Sequence, residues 1–146
     1  MTQHTPDTEL PQPGGVPLAR PLYGAPIGEA MRRYVRKYTD FTGRASRAEF
    51  WWWWLTSFAV FIVMELIGDA FRGDTPVGET ALGASLIIIW GLVTLIGNLS
   101  LGARRLHDAN LSGWWQLLHL VPGLGSLAVF VLALLPANPK GTRFDR

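Results

Sequence analysis

The chain has 146 residues, of which 49% are hydrophobic and 16% are charged, and its formal net charge is +2. Water-soluble domains carry about 25% charged residues, so this composition argues against an ordinary soluble domain. The sequence contains no cysteine, which excludes disulfide bonds, thiolate metal sites and cysteine nucleophiles.

The first 26 residues contain six of the ten prolines and few apolar side chains. Proline fixes φ and donates no backbone hydrogen bond, and little apolar surface is present to offset the entropy cost of ordering. We therefore predict a disordered tail over residues 1–26. The first apolar run begins only after Phe50, so no cleavable signal peptide is expected.

Residues 27–41 have the pattern of a basic amphipathic helix. Apolar and aromatic side chains recur at three- and four-residue steps along one face, and the cations lie largely off it, at Arg32, Arg33, Arg36 and Lys37. Such a helix directly before a membrane span is expected to lie in the lipid headgroup region. The same pattern occurs in nucleic-acid-binding segments, but the adjoining span disfavours that interpretation.

Ser46 and Glu49 form an S-x-x-E pattern, which predicts a capping box and a helix start near residues 45–47. That helix leads into the first predicted span, residues 51–67, which opens with the aromatic run Phe50 to Trp54. Tryptophan favours the membrane interface. Four consecutive tryptophans point all round a helix, so some of them are expected to face protein.

Two further apolar runs predict spans over residues 81–101 and 114–135. The run over residues 81–101 carries a stripe of small and polar residues suited to close helix packing in lipid, namely Ala84, Gly91, Thr94 and Asn98. The third run contains Pro122, where it either kinks as one span or turns back as a re-entrant element. The predicted fold is all-α and polytopic, with about three transmembrane helices in a domain over residues 46–135 and a polar tail over 136–146.

The distribution of Lys and Arg predicts the orientation. Six lie directly before the first span, between residues 32 and 47, one follows it in the loop over residues 68–80, and two lie in the short second loop. Because cytoplasmic loops are enriched in Lys and Arg, the N-terminus and the second loop are expected in the cytoplasm. Three crossings place the C-terminus outside, whereas the basic residues Lys140, Arg143 and Arg146 favour the re-entrant alternative.

The segments FTGRASRAEFWWWW and RRLHDANLSGWW both combine arginines, an acid and tryptophans. We expect them to form one cytoplasmic face, with the candidate residues Arg44, Arg47, Glu49, Arg104, Arg105, His107 and Asp108. Arginine recognises phosphate bidentately, so the functional interpretation is binding of anionic lipid, a phosphorylated ligand or a partner membrane protein. The structural interpretation is that the arginines set the topology and pair with the two acids.

The primary functional prediction is a non-enzymatic membrane protein that associates laterally, with itself or another membrane protein, through the small-residue stripe. One alternative is a small oligomeric transporter or channel subunit, with Glu65, Asn98 and His119 lining a polar path. Another is a lipid-phosphate-modifying enzyme, with His107 and Asp108 as an acid–base pair. The three histidines lack metal-ligand spacing, so no metal is expected. No cofactor is expected either, and the adjoining span disfavours a nucleic-acid partner.

Three segments carry a family resemblance: YTDFTGRASRAEFWWW, ARRLHDANLSGWWQLLHLVPGLG and NPKGTRFD. Over residues 31–144 the chain resembles domain-of-unknown-function family 805, a group of small bacterial inner-membrane proteins. Where the family tends to end in N-R-F-G, this chain has Thr142-Arg143-Phe144-Asp145. The resemblance implies a polytopic fold in the bacterial inner membrane, and it implies no activity.

Overall fold

The computed structural model describes residues 15–71 and 81–145, and within them it confirms the all-α prediction. The elements are α1 (Ile27–Arg36), α2 (Arg47–Ala70), α3 (Ala81–Asp108), a first 3₁₀ helix (Gly113–Leu120), α4 (Leu124–Leu134) and a second 3₁₀ helix (Pro139–Phe144). The start of the predicted tail, residues 1–14, and the loop over 72–80 lie outside the described residues.

Helix α2 begins at the capping box that the sequence predicts. The Ser46 hydroxyl accepts a hydrogen bond from the Glu49 amide at 3.2 Å, and the Glu49 carboxylate accepts one from the Ser46 amide at 2.8 Å. From there α2 runs for 24 residues, about 36 Å at the rise of an α-helix. Because the hydrocarbon core of a bilayer is about 30 Å thick, α2 is long and apolar enough to cross it.

Helix α3 is the second helix of sufficient length and hydropathy, and it continues through RRLHD, which the sequence suggested as a loop. It ends at Asp108 in a Schellman motif. The Leu111 amide donates to the Leu106 carbonyl at 2.8 Å, and the Asn110 amide donates to the His107 carbonyl at 2.9 Å. Asn110 takes the left-handed conformation that this motif needs, with φ 61°.

The third apolar run, predicted as one span over 114–135, is divided in the structure. The first 3₁₀ helix and α4 lie on either side of a turn at Pro122 and Gly123, and we call residues 113–134 the hairpin. Proline cannot donate to a continuing helix, and Gly123 has φ 75°, so the helical hydrogen bonding stops there. Helix α4 has 11 residues, about 16 Å, which is half the thickness of a bilayer core.

Both ends of the hairpin lie beside the C-terminus of α3. At the start, a Cβ built on Gly113 would lie 3.0 Å from the Ala103 side chain. Beyond the end, the Asn138 amide donates to the Asp108 carbonyl at 2.7 Å. The two arms touch at Gly125, where any side chain would overlap the backbone of the first 3₁₀ helix. This arrangement corresponds to the re-entrant alternative for the third run.

Residues 15–26 pack against the bundle, so the prediction of a disordered tail is wrong for this part of it. Leu22 is buried, and the backbone carbonyls of Val16 and Arg20 accept hydrogen bonds from the Arg33 guanidinium at 2.6 and 2.9 Å. Proline removes amide donors but leaves every carbonyl available. Buried cations need such acceptors, which is why a proline-rich segment is ordered here.

Helix α1 ends at Arg36, before the predicted boundary at residue 41. Its one tyrosine, Tyr34, is directed at the other helices. The Tyr34 hydroxyl donates to the Thr94 carbonyl at 3.2 Å, and the Tyr34 ring stacks on Trp53 with centroids 3.4 Å apart. The contact requires glycine at position 97, because any side chain there would overlap Tyr34.

The small-residue stripe of α3 is therefore partly used inside this chain. Thr94 is buried, and the Asn98 carbonyl oxygen accepts a hydrogen bond from the Trp53 indole at 2.6 Å. Toward the other end, Ala84 is half-buried, and a Cβ on Gly91 would meet nothing within 4 Å. Of the four stripe residues, Gly91 and Asn98 are exposed, Ala84 is half-buried and Thr94 is buried.

Candidate functional site at the polar end of the bundle

The seven candidate residues from the sequence meet at one end of the bundle. We call this end, formed by residues 15–50, 103–113 and 135–145, the polar end. The Ala45 amide donates to the Arg104 carbonyl at 3.0 Å, which joins the start of α2 to the end of α3. The ring nitrogen Nδ1 of His107 lies 3.0 Å from the Gly43 carbonyl.

Asp108 is the centre of the first charged group. Its side chain is fully buried and lies between two cations, with Oδ2 2.8 Å from Arg105 Nη1 and Oδ1 3.6 Å from Arg44 Nη1. The Tyr23 hydroxyl also donates to Oδ1 at 2.9 Å. A buried carboxylate is tolerated when several donors satisfy it, so Asp108 is a structural acceptor that joins three segments.

Arg44 extends this group to the C-terminal segment. Its guanidinium donates to both carboxylate oxygens of Asp145, each at 2.7 Å. This bidentate pair is the strong form of the Arg–carboxylate interaction, and it raises the pKa of Arg44 above its usual value.

Arg105 and Arg47 hold the C-terminus of α4. Arg105 donates to the Ala133 carbonyl at 3.0 Å and to the Leu135 carbonyl, while Arg47 donates to the Leu134 carbonyl at 2.8 Å. The last carbonyls of a helix have no intrahelical partner and carry partial negative charge. The two arginines therefore fix the end of the hairpin to the polar end.

Glu49 and Arg33 form a second buried ion pair at 3.1 Å, with both side chains 3% exposed. Next to it, Lys37 donates from Nζ to the Leu18 carbonyl at 3.2 Å and to the Thr42 carbonyl at 2.8 Å. Burial lowers the pKa of Lys37 below its usual value. The sequence assigned Arg33 and Lys37 to lipid headgroups, whereas the structure places them inside.

Arg104 is 2% exposed and its guanidinium donates to backbone carbonyls, at 3.3 Å to that of Ser100. It makes no ion pair within the described residues. Together with the buried ion pairs of Asp108 and Glu49, the burial of Arg104 means that most of the predicted cytoplasmic face lies inside the protein. Arg44, Glu49, Arg104, Arg105 and Asp108 are buried, His107 is half-buried, and Arg47 alone of the seven is exposed.

The residues of the two alternative functions are not brought together. His107 and Asp108 have separate partners, the Gly43 carbonyl for the imidazole and Tyr23 with Arg105 for the carboxylate. They do not form an acid–base pair. His119 lines a cavity beside α3 whose wall contains neither Glu65 nor Asn98, so the described part of a single chain does not place these three residues around one cavity.

Sequence reasoning missed four residues of the polar end: Tyr23, Arg33, Lys37 and Asp145. Arg33 lies in α1 and Lys37 directly follows it, and their four-residue spacing puts them on one face. That spacing could have indicated that Arg33 and Lys37 lie on a different face from Arg32 and Arg36. No local signal marks Tyr23 or Asp145, because their partners are distant in sequence.

The sequence comparisons agree with the motifs at this end. Residues 38–146 match the family described as Protein of unknown function (DUF805). The chain belongs to the DUF805 family. Two relatives from Escherichia coli strain K12 are similar over most of their length. Inner membrane protein YhaH is 30% identical, covering 77% of this chain and 89% of the relative. Inner membrane protein YhaI is 33% identical, covering 75% and 86%.

No solved structure matches this DUF805 chain. The relatives are inner membrane proteins by name, and α2 and α3 are long and apolar enough to span a bilayer. A membrane location is therefore supported by the relatives and by the fold together. The exposed apolar side chains of α2 and α3 are then the surface that faces lipid.

Proposed function

We propose that this protein is a non-enzymatic, multi-pass inner-membrane protein whose polar end lies in the cytoplasm and binds anionic lipid. The observation that carries the proposal is the charge difference between the two ends. Among the described residues, the polar end holds eleven Lys and Arg against five acids, a formal charge of +6. The described part of the opposite end holds Glu65 and Asp69 and no Lys or Arg.

The proposed topology has two crossings, α2 and α3, with both termini in the cytoplasm. The hairpin enters the bilayer from the cytoplasmic side and returns to it. The contacts of Asn138 with Asp108, and of Arg105 with the end of α4, support this arrangement. The positive-inside rule supports it as well, because Lys140 and Arg143 then lie on the same side as the other cations.

The cations proposed to meet lipid phosphate are Arg36, Lys140 and Arg143, three of the five that the fold leaves exposed in the described residues. The other two are Arg20 and Arg47, and Arg47 already donates to the Leu134 carbonyl. The buried arginines are committed to carboxylates and carbonyls inside the chain. Each exposed cation near an anionic leaflet contributes about 1 kcal/mol of attraction. The inner leaflet is the anionic side of the proposed topology, so charge and orientation agree.

A reporter of cellular side, fused after Arg146, tests the topology. We expect a cytoplasmic signal, since the hairpin returns the chain to the side of the N-terminus. A second fusion within residues 72–80 is expected to report the outside. A periplasmic signal from the C-terminal fusion would contradict two crossings and restore a single span over residues 114–135.

Lipid retention tests the binding. The full chain is purified in mild detergent, and the retained phosphatidylglycerol is measured by native mass spectrometry. The triple variant Arg36→Gln, Lys140→Gln, Arg143→Gln is expected to retain anionic lipid about 100-fold more weakly, because three contributions of about 1 kcal/mol are lost. The variant Glu65→Gln changes charge at the opposite end and should behave as the parent. Unchanged retention in the triple variant would reject this role of the three cations.

A further inference from the structure

A cavity of about 760 Å³ lies between α3 and the hairpin. One wall is a single face of α3, formed at four-residue steps by Leu95, Leu99, Ala103 and His107. The opposite wall includes Trp114 from the first 3₁₀ helix. This volume is in the range of small-molecule and cofactor sites. The His107 end adjoins the polar end, and the Leu95 end lies about 18 Å deeper along the helix axis.

His107 offers the cavity a fixed hydrogen-bond acceptor. Its Nδ1 lies 3.0 Å from the Gly43 carbonyl, which can only accept, so Nδ1 carries the proton. In the neutral ring, Nε2 then has a free lone pair. The ring is held by Phe144, which stacks on it with centroids 4.0 Å apart. Nε2 lies next to Gly113, at the start of the hairpin wall.

Gln116 offers the same cavity a second polar group. Its side chain reaches from the first 3₁₀ helix to the backbone of α3 at Gly102. The amide makes no hydrogen bond with any side chain or backbone group in residues 15–71 or 81–145. An amide in an apolar cavity loses free energy unless a partner satisfies it. His107 Nε2 and the Gln116 amide are therefore two uncommitted polar groups in one mainly apolar space.

The cavity wall contains no charged side chain from the described residues. The titratable side chains of the wall are His107 and His119. A phosphate or carboxylate inside the cavity would have no Lys or Arg partner there, and burying an unpaired ion is costly. The outer wall is open to the surroundings, since Trp114 is 77% and Leu120 is 79% exposed. In the membrane these side chains face acyl chains, so a lipid can enter sideways.

We propose that this cavity binds one molecule of a neutral lipid with a free hydroxyl group and an ester carbonyl, the chemistry of a diacylglycerol. The hydroxyl donates to His107 Nε2, and the Gln116 amide donates to the carbonyl. The acyl chains lie along Leu95 and Leu99. Of the exposed cations of the proposed function, Arg143 lies over the Phe144 ring, with its guanidinium carbon 4.6 Å from the ring centroid, but none of the three lines the cavity.

The test compares three lipids that share the same chains. The full chain is purified in mild detergent and mixed with equal amounts of 1,2-dioleoylglycerol, its 3-acetyl ester and dioleoyl phosphatidic acid. Native mass spectrometry then measures the retained lipid. We expect diacylglycerol to exceed the acetyl ester by about five-fold, the effect of one hydrogen bond. Equal retention of these two lipids, or a preference for phosphatidic acid, would overturn the headgroup assignment.

Variants separate the headgroup from the cavity. Gln116→Leu leaves the fold's hydrogen bonds intact and is expected to lower diacylglycerol retention about five-fold. His107→Phe keeps the ring stacked on Phe144 and is expected to abolish the preference over the acetyl ester. Leu99→Trp fills the cavity and should abolish binding of both neutral lipids.

Leu92→Trp is the matched control for the filled cavity, because Leu92 lies on the same helix, is 67% exposed and does not line the cavity. It should retain lipid as the parent does. Circular dichroism and size-exclusion chromatography check that each variant is folded. Full retention in a folded Leu99→Trp protein would show that the lipid binds elsewhere and would overturn the site.

Discussion

The polar end and the middle of α2 and α3 have opposite relations to their surroundings. At the polar end, charged side chains are buried, with Arg105 and Asp108 fully enclosed. Along the middle of the two helices, apolar side chains are exposed, as with Phe58 at 62% and Leu92 at 67%. A water-soluble protein has the reverse distribution. The middle of α2 and α3 is therefore suited to lipid, which surrounds apolar side chains with an apolar environment like that of a protein core.

This difference indicates which part of the molecule determines how its segments associate. In lipid there is no hydrophobic force between helices, because acyl chains are as apolar as leucine. Association then depends on packing and on polar contacts. In this chain the polar contacts concentrate at one end, where arginines bind the carbonyls and carboxylates of segments distant in sequence. Four predictions test whether the contacts at the polar end determine the stability of the fold. The largest loss of stability is expected where the most of these contacts converge.

Arg105→Ala is expected to have the largest effect. It removes the donors to the Ala133 and Leu135 carbonyls and leaves buried Asp108 with one cation fewer. Removing one member of a buried ion pair costs about 3–5 kcal/mol. The free energy of unfolding is measured by titration with sodium dodecyl sulfate. Arg36→Ala, at an exposed position, is the control and should change stability little. Similar losses in the two variants would contradict the central role of the polar end.

The second prediction compares two glycines on α3. At Gly97 a side chain would overlap Tyr34, whereas at Gly91 a Cβ would meet nothing within 4 Å. Gly97→Val is therefore expected to displace α1 and to destabilise the chain by about 1–3 kcal/mol. Gly91→Val should cause no comparable loss.

The readouts of this pair are the unfolding titration and the total tryptophan emission, to which Trp53, stacked on Tyr34, is one of seven contributors. The emission is expected to change in the Gly97 variant alone. Equal effects of the two substitutions would mean that α1 does not dock at this position in the membrane.

The third prediction concerns the pair of Arg44 and Asp145. Asp145→Asn keeps the shape but removes one charge from a bidentate, partly buried contact. We expect a loss of about 1 kcal/mol, less than for a fully buried charged pair, because the amide keeps one acceptor oxygen and the contact is partly exposed to solvent. Because Arg44 also faces Asp108, a double-mutant cycle with Arg44→Gln isolates the pair. A coupling energy near zero would show that the contact does not hold the C-terminal segment.

The start of α2 could be predicted from sequence because its signal is local: Ser46 and Glu49 are three residues apart and satisfy each other. The meeting of the two arginine-rich segments could also be predicted, since charge placed both at the same membrane surface. Among the four tryptophans, burial of Trp53 beside exposed Trp54 agrees with the expectation that some face protein.

The turn of the hairpin and the packing of residues 15–26 could not be predicted, because they depend on partners distant in sequence. Pro122 marks a break, but whether the run turns back depends on Arg105, which binds the far end of α4. The composition of residues 15–26 indicates disorder, but it does not show that Arg33 and Lys37 need their carbonyls. Charge in a sequence does not reveal burial. This is why the arginines suggested an open anion site and the structure has an internal network.

The smallest predicted effect is a pH dependence at Tyr23. Its hydroxyl donates to Asp108 at 2.9 Å. Partial burial of the hydroxyl, and then this hydrogen bond to a carboxylate, raise the pKa of Tyr23 from its usual 10.0 to about 12. A raised pKa in the folded state means that folding favours the protonated phenol. The associated stability is fully present below about pH 10 and is lost as the pH rises through about 12.

The measurement is the free energy of unfolding as a function of pH for the parent and for Tyr23→Phe. The ring is 59% exposed, so the effect is expected to be modest. Other groups titrate in the same window, but they do so in both proteins, and the difference between the two curves isolates Tyr23. The parent is expected to converge on the variant between about pH 10 and pH 12. Parallel curves would mean that residues 15–26 are not held to Asp108, and the polar end would then consist of the helices and the C-terminal segment alone.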